Sequence, residues 1–263
     1  APTSDEAPAR VPESAMANPN VIAQTAFGPM IVNVNDRYIT REIFTDGHWA
    51  IDDVRLLMSI IEHQLTTRER MIVYDVGANI GAHCLGMASL GADRVAIRAF
   101  EAQREMFHML CGTMALNGAR HVICHHAAVS DTDGETIALS LPDYERSNNF
   151  GGFEVMAPRR SDNADMIRAG ADTVRTVTID AFDEAVGLIK LDIEGMEDRA
   201  LAGARRTVAK HRPICFVELT KTDADFVRSF FRDQDYRAYL RREDLIAIPA
   251  ESNLGLLGLA QLF

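Results

Sequence analysis

Cysteine is scarce in this chain, and no two of Cys84, Cys111, Cys124 and Cys215 form a C-x-x-C pair. Zinc sites and disulfide frameworks need closer pairing, so four reduced, buried thiols in a cytoplasmic protein are expected. Long hydrophobic runs are missing too. Nothing approaches the roughly eighteen apolar residues of a membrane-spanning helix. Positive charge is in deficit, with 27 Lys and Arg against 38 Asp and Glu, a net charge of −11. Such a chain repels phosphate backbones and anionic lipid, which argues against nucleic-acid and membrane partners. The pairs Arg159-Arg160 and Arg241-Arg242 are too small to reverse that. Residues 1–20 have neither a basic start nor an apolar centre. They read as a disordered Pro/Ala/Ser/Glu leader rather than a signal peptide.

What is present is an ordinary globular composition, 47% hydrophobic and 25% charged, followed by a repeated strand–turn–helix rhythm. Residues 21–66 read as a small cap. It has a hairpin around "PMIVNVNDRYI", turning near Asn35-Asp36, and a helix over 51–65. Residues 67–263 read as one larger domain. "RMIVYDV", "RVAIRAFE", "HVICHHAAV", "GLIKLDI" and "RPICFVEL" have the apolar, β-rich character of buried strands. "NIGAHCLGMASLG", "QREMFHMLCGTMALNG", "MEDRALAGARRTVAKH" and "DADFVRSFFRDQ" read as helices between them, and strands resume at "YRAYLR". "GETIALSL" is expected to hairpin off the main sheet, and the polar stretch 142–172 to form a functional loop or lid. This alternation implies a mainly parallel α/β sheet covered on both faces, with ligands at the carboxyl ends of its strands.

One such end carries Asp75-x-Gly77-x-Asn79-x-Gly81. The spacing departs from the G-x-G-x-x-G of dinucleotide folds. A pyrophosphate beside Asp75 would meet a like charge, at a cost of about 1 to 4 kcal/mol at surface-like dielectric. A ligand with an ammonium and a sulfonium would gain instead, and S-adenosylmethionine is such a ligand. Glu101 ends the next strand, placed to accept hydrogen bonds from both ribose hydroxyls. Ala127 and Ala128 follow the third strand, where a flat adenine ring would lie, and Asp131 either reaches its amino group or begins the next turn. An NAD-dependent oxidoreductase is disfavoured by Asp75 and by the missing glycine.

A second group lies in "IKLDIEGMEDRALAGA", with Lys190, Asp192, Glu194 and Glu197 around Gly195. Alternation puts Lys190, Asp192 and Glu194 on one face as the strand leaves the sheet. A metal held by Asp192, Glu194 and Glu218 is not expected, because Lys190 competes for the same charge.

These segments, with "YDVGANIG", "AFEAQREMFHMLCGTMALNG", "AAVSD" and "RPICFVEL", resemble the FkbM-type S-adenosylmethionine-dependent methyltransferases over roughly residues 71–219. Gln103 departs from the pattern, standing where proline is common. The resemblance implies a Rossmann-like, seven-stranded class I methyltransferase fold. It also implies O-methylation of a hydroxyl on a sugar, polyketide or other secondary metabolite.

Methyl transfer to a hydroxyl gains mostly from positioning and further from a base. Asp192 is the first candidate base and Glu194 the second, with Lys190 holding the carboxylates or stabilising an alkoxide. His83 is a weaker catalytic candidate, His48 beside Trp49 is a candidate cap over the cofactor, and Asn148, Asn149, Gly151 and Gly152 form a candidate lid edge. The expected partner is a small-molecule or glycan hydroxyl, and the sequence leaves the oligomeric state open, a homodimer among the options. The rival reading is a methyltransferase-like regulator that binds the cofactor without catalysis.

Overall fold

Apolar side chains alternate along β3 (Met71–Val76) and β9 (Val186–Leu191), so each strand supplies two opposite faces with core residues. The computed structural model describes residues 18–153, 167–255 and 258–263. Residues 1–17 of the expected leader and residues 154–166 of the polar stretch, Arg159-Arg160 among them, lie outside the described residues.

The main sheet adds β4 (Val95–Glu101), β5 (Val122–His126), β10 (Ile214–Glu218), β11 (Tyr236–Arg241), β12 (Asp244–Pro249) and the two-residue β13 (Ala260–Gln261). Its order is β13-β11-β12-β10-β9-β3-β4-β5. Strands β5, β4, β3, β9 and β10 pair in parallel, while β12 runs antiparallel to both β10 and β11. The short β13 makes eight strands where seven are expected.

Met71, Val73 and Leu188 face one core, shared with α2 (Ile51–Gln64), α3 (Ala82–Ala88) and α4 (Arg104–Leu116). Tyr74, Val76, Ile189 and Leu191 face the other, shared with α5 (Glu197–Ala202), α6 (Arg205–His211) and α7 (Ala224–Asp233). Asp223 caps α7, its Oδ1 accepting from the backbone N–H groups of Asp225 at 3.1 Å and Phe226 at 3.0 Å. Among the described residues no helix is long and apolar enough to cross a membrane. All four cysteines are free, Cys84 and Cys215 buried.

Several elements differ from the sequence reading. The hairpin pairs β1 (Asn20–Thr25) with β2 (Gly28–Asn33) and turns at Ala26-Phe27. Gly28, at φ 134°, and the Thr25 hydroxyl donating to the Gly28 carbonyl at 2.7 Å close that turn. Asp36 instead leads into α1 (Ile39–Asp46), its Oδ1 accepting from the N–H groups of Tyr38 and Ile39. The helix expected over 196–211 is two helices. Gly203 lies against the Ser130 carbonyl, a contact that leaves no room for a Cβ, and the chain turns there. The third strand ends at His126, and β6 (Ala128–Val129) crosses into a separate sheet of order β6-β8-β7. In that sheet β7 (Thr136–Pro142) pairs with β8 (Ile167–Val177), the hairpin off the main sheet that "GETIALSL" promised.

Candidate active site

Three backbone hydrogen bonds shape the turn after β3. The N–H groups of Gly77 and Ala78 donate to the Phe100 carbonyl at 3.0 and 2.9 Å, and that of Asp192 donates to the Val76 carbonyl at 3.2 Å. The turn is thereby wedged between the ends of β4 and β9. Gly77 sits at φ 78°, and a Cβ there would overlap the carbonyl oxygen of Asp192. Only glycine supplies both that dihedral and that close approach. Asn79, at φ 52°, directs its N–H to Glu101 Oε2 at 2.9 Å. Gln103 N–H meets Glu101 Oε1 at 2.7 Å, so the carboxylate is fixed by two backbone donors. Burial pushes Glu101 up to about 7, against the pull of those donors.

A cavity of about 210 Å³ opens above this turn. Gly77, Asn79, Glu101, Ala127 and Ala128 line one end, and Asp192, Glu194 and Glu218 line another part of its wall. Tyr38, Trp49 and Phe153 add aromatic surface, and His83 reaches in from α3. Burial, and then the charge of Lys190, push His83 down to about 3, so its imidazole is neutral.

Asp75 and Lys190 are placed differently from the sequence reading. They are register partners across β3 and β9 and are 0% and 1% exposed. Both lie beneath the cavity floor. Lys190 Nζ stands 3.3 Å from Asp75 Oδ1 and 3.5 Å from Asp192 Oδ2, and donates to the Gly77 carbonyl at 3.2 Å. Burial raises Asp75 although Lys190 opposes it. Burial works against the Lys190 charge, but Asp75 and Asp192 outweigh it and hold the ammonium above its usual range. Asp75 therefore meets its cation inside the protein, and its charge is compensated before any ligand arrives, contrary to the expectation that it repels a bound phosphate directly. Gly81 also turns away from the cavity. A Cβ on it would lie 2.9 Å from Leu110 and 3.0 Å from Met114, so it serves the packing of α3 against α4.

The acidic loop after β9 is shaped by Glu197. Its carboxylate accepts from Ile193 N–H at 2.8 Å and Gly195 N–H at 3.1 Å, holding Glu194 at φ 56°. Carboxylate oxygens of Asp192, Glu194 and Glu218 then lie within 4.8 Å of one another. Burial, then the charge of Asp192, push Glu194 up to about 7. Burial and the neighbouring carboxylates push Glu218 to about 8.

The segment Asn148–Phe153 forms one wall and is tethered from three sides. Arg37 N–H donates to the Asn148 carbonyl at 2.9 Å. Gln103 Nε2 donates to the Phe150 carbonyl at 3.0 Å, while its Oε1 accepts from the Tyr144 hydroxyl at 2.7 Å. Lys221 Nζ donates to the Gly152 carbonyl at 2.7 Å and pairs with Glu194. Asn149, Gly151 and Gly152 line the cavity. Of the other candidates, His48 lies by Glu42 while its neighbour Trp49 lines the cavity. Asp131 pairs with Arg199. His125 and His126 stack on Phe100 and Phe107.

Sequence reasoning passed over Gln103 and Lys221 as tethers and weighed Glu218 only as a metal ligand. Glu218 carries a usable signal, since it ends β10 as Glu101 ends β4, on the edge of the sheet where α/β folds bind ligands.

The sheet order, the antiparallel strand β12 inserted between β10 and β11 and the cavity at the strand carboxyl ends define a Rossmann-like α/β protein of the class I methyltransferase type. The profile of the methyltransferase FkbM domain matches residues 75–238. The chain belongs to the FkbM methyltransferase family. A curated relative, the 31-O-demethyl-FK506 methyltransferase FkbM of Streptomyces tacrolimicus, is 27% identical over 204 residues, covering 67% of this chain and 72% of the relative. A solved FkbM methyltransferase from Methylobacillus flagellatus aligns with TM-score 0.49 at 20% identity, over 68% of this chain. The chain spans 44% of that structure's length. A SAM-dependent O-methyltransferase from Thermotoga maritima aligns with TM-score 0.43 at 12% identity, over 90% of this chain and 80% of its own.

Proposed function

We propose that this chain binds S-adenosylmethionine and methylates a hydroxyl of a small molecule or glycan, such as a sugar, polyketide or other secondary metabolite, in the cytoplasm. The observation that carries the reading is Glu101, a carboxylate held in the cavity wall by two backbone N–H groups. The residues around it fit the cofactor. Glu101 is an acceptor for two ribose hydroxyls, buried Ala127 and Ala128 offer a flat apolar wall for adenine, and Gly77 and Asn79 of the turn line the cavity beside them. When bound, S-adenosylmethionine supplies a methyl group already activated by a sulfonium. The work left to the protein is to hold an acceptor in line and to receive its proton. Asp192, Glu194 and Glu218 are the groups placed for the proton, and the tethered wall around Asn149 and Gly152 would exclude water. The name of the curated relative, an O-demethyl compound's methyltransferase, supports oxygen as the acceptor atom.

The test is thermal stability with S-adenosylmethionine, S-adenosylhomocysteine and NAD, each at a hundred times a plausible dissociation constant. Binding at that ratio adds about 2.7 kcal/mol, a rise of roughly 5 to 10 °C for a domain of this size. Both sulfur compounds should raise the midpoint, NAD should not, and Glu101→Ala should abolish the effect. No rise with either sulfur compound overturns the reading. A cofactor-binding regulator would bind equally well, and an Asp192→Asn variant separates the two. In an enzyme that variant loses methylation of an accepted hydroxyl and keeps cofactor binding.

A further inference from the structure

The charge around the acidic wall is lopsided. Asp192, Glu194 and Glu218 converge there, with Asp75 on β3, Glu197 on α5 and Asp244 on β12 close by. Two lysines answer them, with Arg241 beside Asp244 shared with Asp53. Lys190 is shared between Asp75 and Asp192, and Lys221 between Glu194 and the Gly152 carbonyl. His83, from α3, adds no charge. Glu218 Oε2 is closed off from solvent and has no hydrogen-bond donor. With its carboxylates ionised the wall thus carries more negative charge than its own cations balance, and the partial burial of Glu194 and Glu218 makes that imbalance matter.

Methyl transfer to a hydroxyl also changes where positive charge sits. The acceptor oxygen gains a bond to carbon and gives up its proton. The sulfur–carbon bond breaks, and its electron pair stays on sulfur. One positive charge leaves sulfur and one proton is released. We propose that Glu194 and Glu218 form a charge-exchange pair, facing the sulfonium while ionised and taking up the acceptor's proton as that charge is lost. The net charge of the cavity then stays constant through the reaction. This rests on the methyl-donor reading above, and it makes Glu218, from β10, a catalytic residue beside Asp192.

The consequence is readable without knowing the acceptor. S-adenosylmethionine carries the sulfonium, and S-adenosylhomocysteine is the neutral thioether with the same adenosine, amine and carboxylate. Burial raises both glutamates into the range of pH 7 to 8, so the pair holds protons below that range and is ionised above it. Glu101, also raised to about 7, meets the ribose that both compounds share and loses its proton when either binds, so binding the cation should expel up to one proton more than binding the thioether.

The experiment is isothermal titration of the full chain with each compound between pH 6.0 and 8.5, in two buffers of different ionisation heat. The ratio of the S-adenosylhomocysteine to the S-adenosylmethionine dissociation constant should rise at least about fivefold across that range, with up to about one more proton released on binding the cation than on binding the thioether near pH 7.5. An analogue with an amino group in place of the methyl-sulfonium should follow the cation. Glu218→Gln and Glu194→Gln, each checked by circular dichroism, should flatten the ratio to within about twofold while S-adenosylhomocysteine still binds. A flat ratio in the unsubstituted chain, with both compounds bound, overturns the proposal and leaves the methyl-donor reading standing. Failure of both to bind at any pH overturns both.

Discussion

Replacing Lys190 by methionine keeps an unbranched apolar chain of similar length but removes the cation that Asp75 faces. Asp75 is 0% exposed, and neither of its carboxylate oxygens has a hydrogen-bond partner besides the 3.3 Å ion pair. Breaking one side of a buried pair costs about 3 to 5 kcal/mol, because the other charge stays buried. For a domain of this size that is a fall of about 6 to 20 °C in the melting midpoint. The sign of the pH dependence follows from the same geometry. Burial already raises Asp75, and losing Lys190 raises it further. Between the unfolded value near 3.9 and the folded one, the native state then holds a proton that the unfolded state lacks. Stability is therefore greatest at low pH and falls as pH rises through that window, by up to about 1.4 kcal/mol per unit. Urea unfolding of Lys190→Met, followed by circular dichroism at pH 5, 6 and 7, should show that extra slope. The double variant Asp75→Asn/Lys190→Met lacks the carboxylate. It should lose the slope and recover at least about 2 kcal/mol at pH 7. A single variant that loses less than about 1 kcal/mol, or a double variant no more stable than it, refutes the reasoning.

Gly77→Ala should abolish cofactor-induced stabilisation and lower the protein's own stability by at least about 1 to 3 kcal/mol, since the new Cβ meets the Asp192 carbonyl at a positive φ. Calorimetry with and without S-adenosylhomocysteine reads both effects. Glu101→Gln should weaken S-adenosylhomocysteine binding about tenfold or more, as a charged bidentate acceptor becomes a neutral one. Gln103→Ala removes a buried side chain that joins Tyr144 to the Phe150 carbonyl, at a cost of about 1 to 3 kcal/mol. Faster limited proteolysis between residues 143 and 153 would report release of that wall. Asp223→Ala should cost about 1 kcal/mol through loss of the α7 cap and leave cofactor affinity unchanged.

Much of this was legible in the chain. Period-two apolar runs marked the strands, Gly91 and Asn117-Gly118 ended α3 and α4 close to where they were read, and the Asp75–Gly81 spacing placed a glycine turn after β3. Glu101, Asn79, Gly77, Ala127 and Ala128 do meet at one cavity. The misplacements have local causes. Asn35-Asp36 has turn composition, but the tighter closure by Thr25 and Gly28 took the hairpin. Residues 196–211 are helical in pattern, but the approach of Ser130 at Gly203 breaks the run. Neither contact can be read from its own segment.

The sequence by itself determined the elements, the faces they present and the family, because periodicity, turn glycines and motif spacing are local. It put Asp75, Lys190, Asp192 and Glu194 near one edge of the sheet. Only the tertiary structure decided their depth. Alternation tells which face a side chain takes but not where along the strand the covering helix stops, so Asp75 and Lys190 became a buried pair under the floor. Asp192 and Glu194 reached the open wall beyond it. Glu218 and Lys221 joined them from β10 and the loop after it because β9 and β10 lie side by side; Glu218 could be grouped with them from its place at a strand end, but nothing local marks Lys221, in the loop beyond.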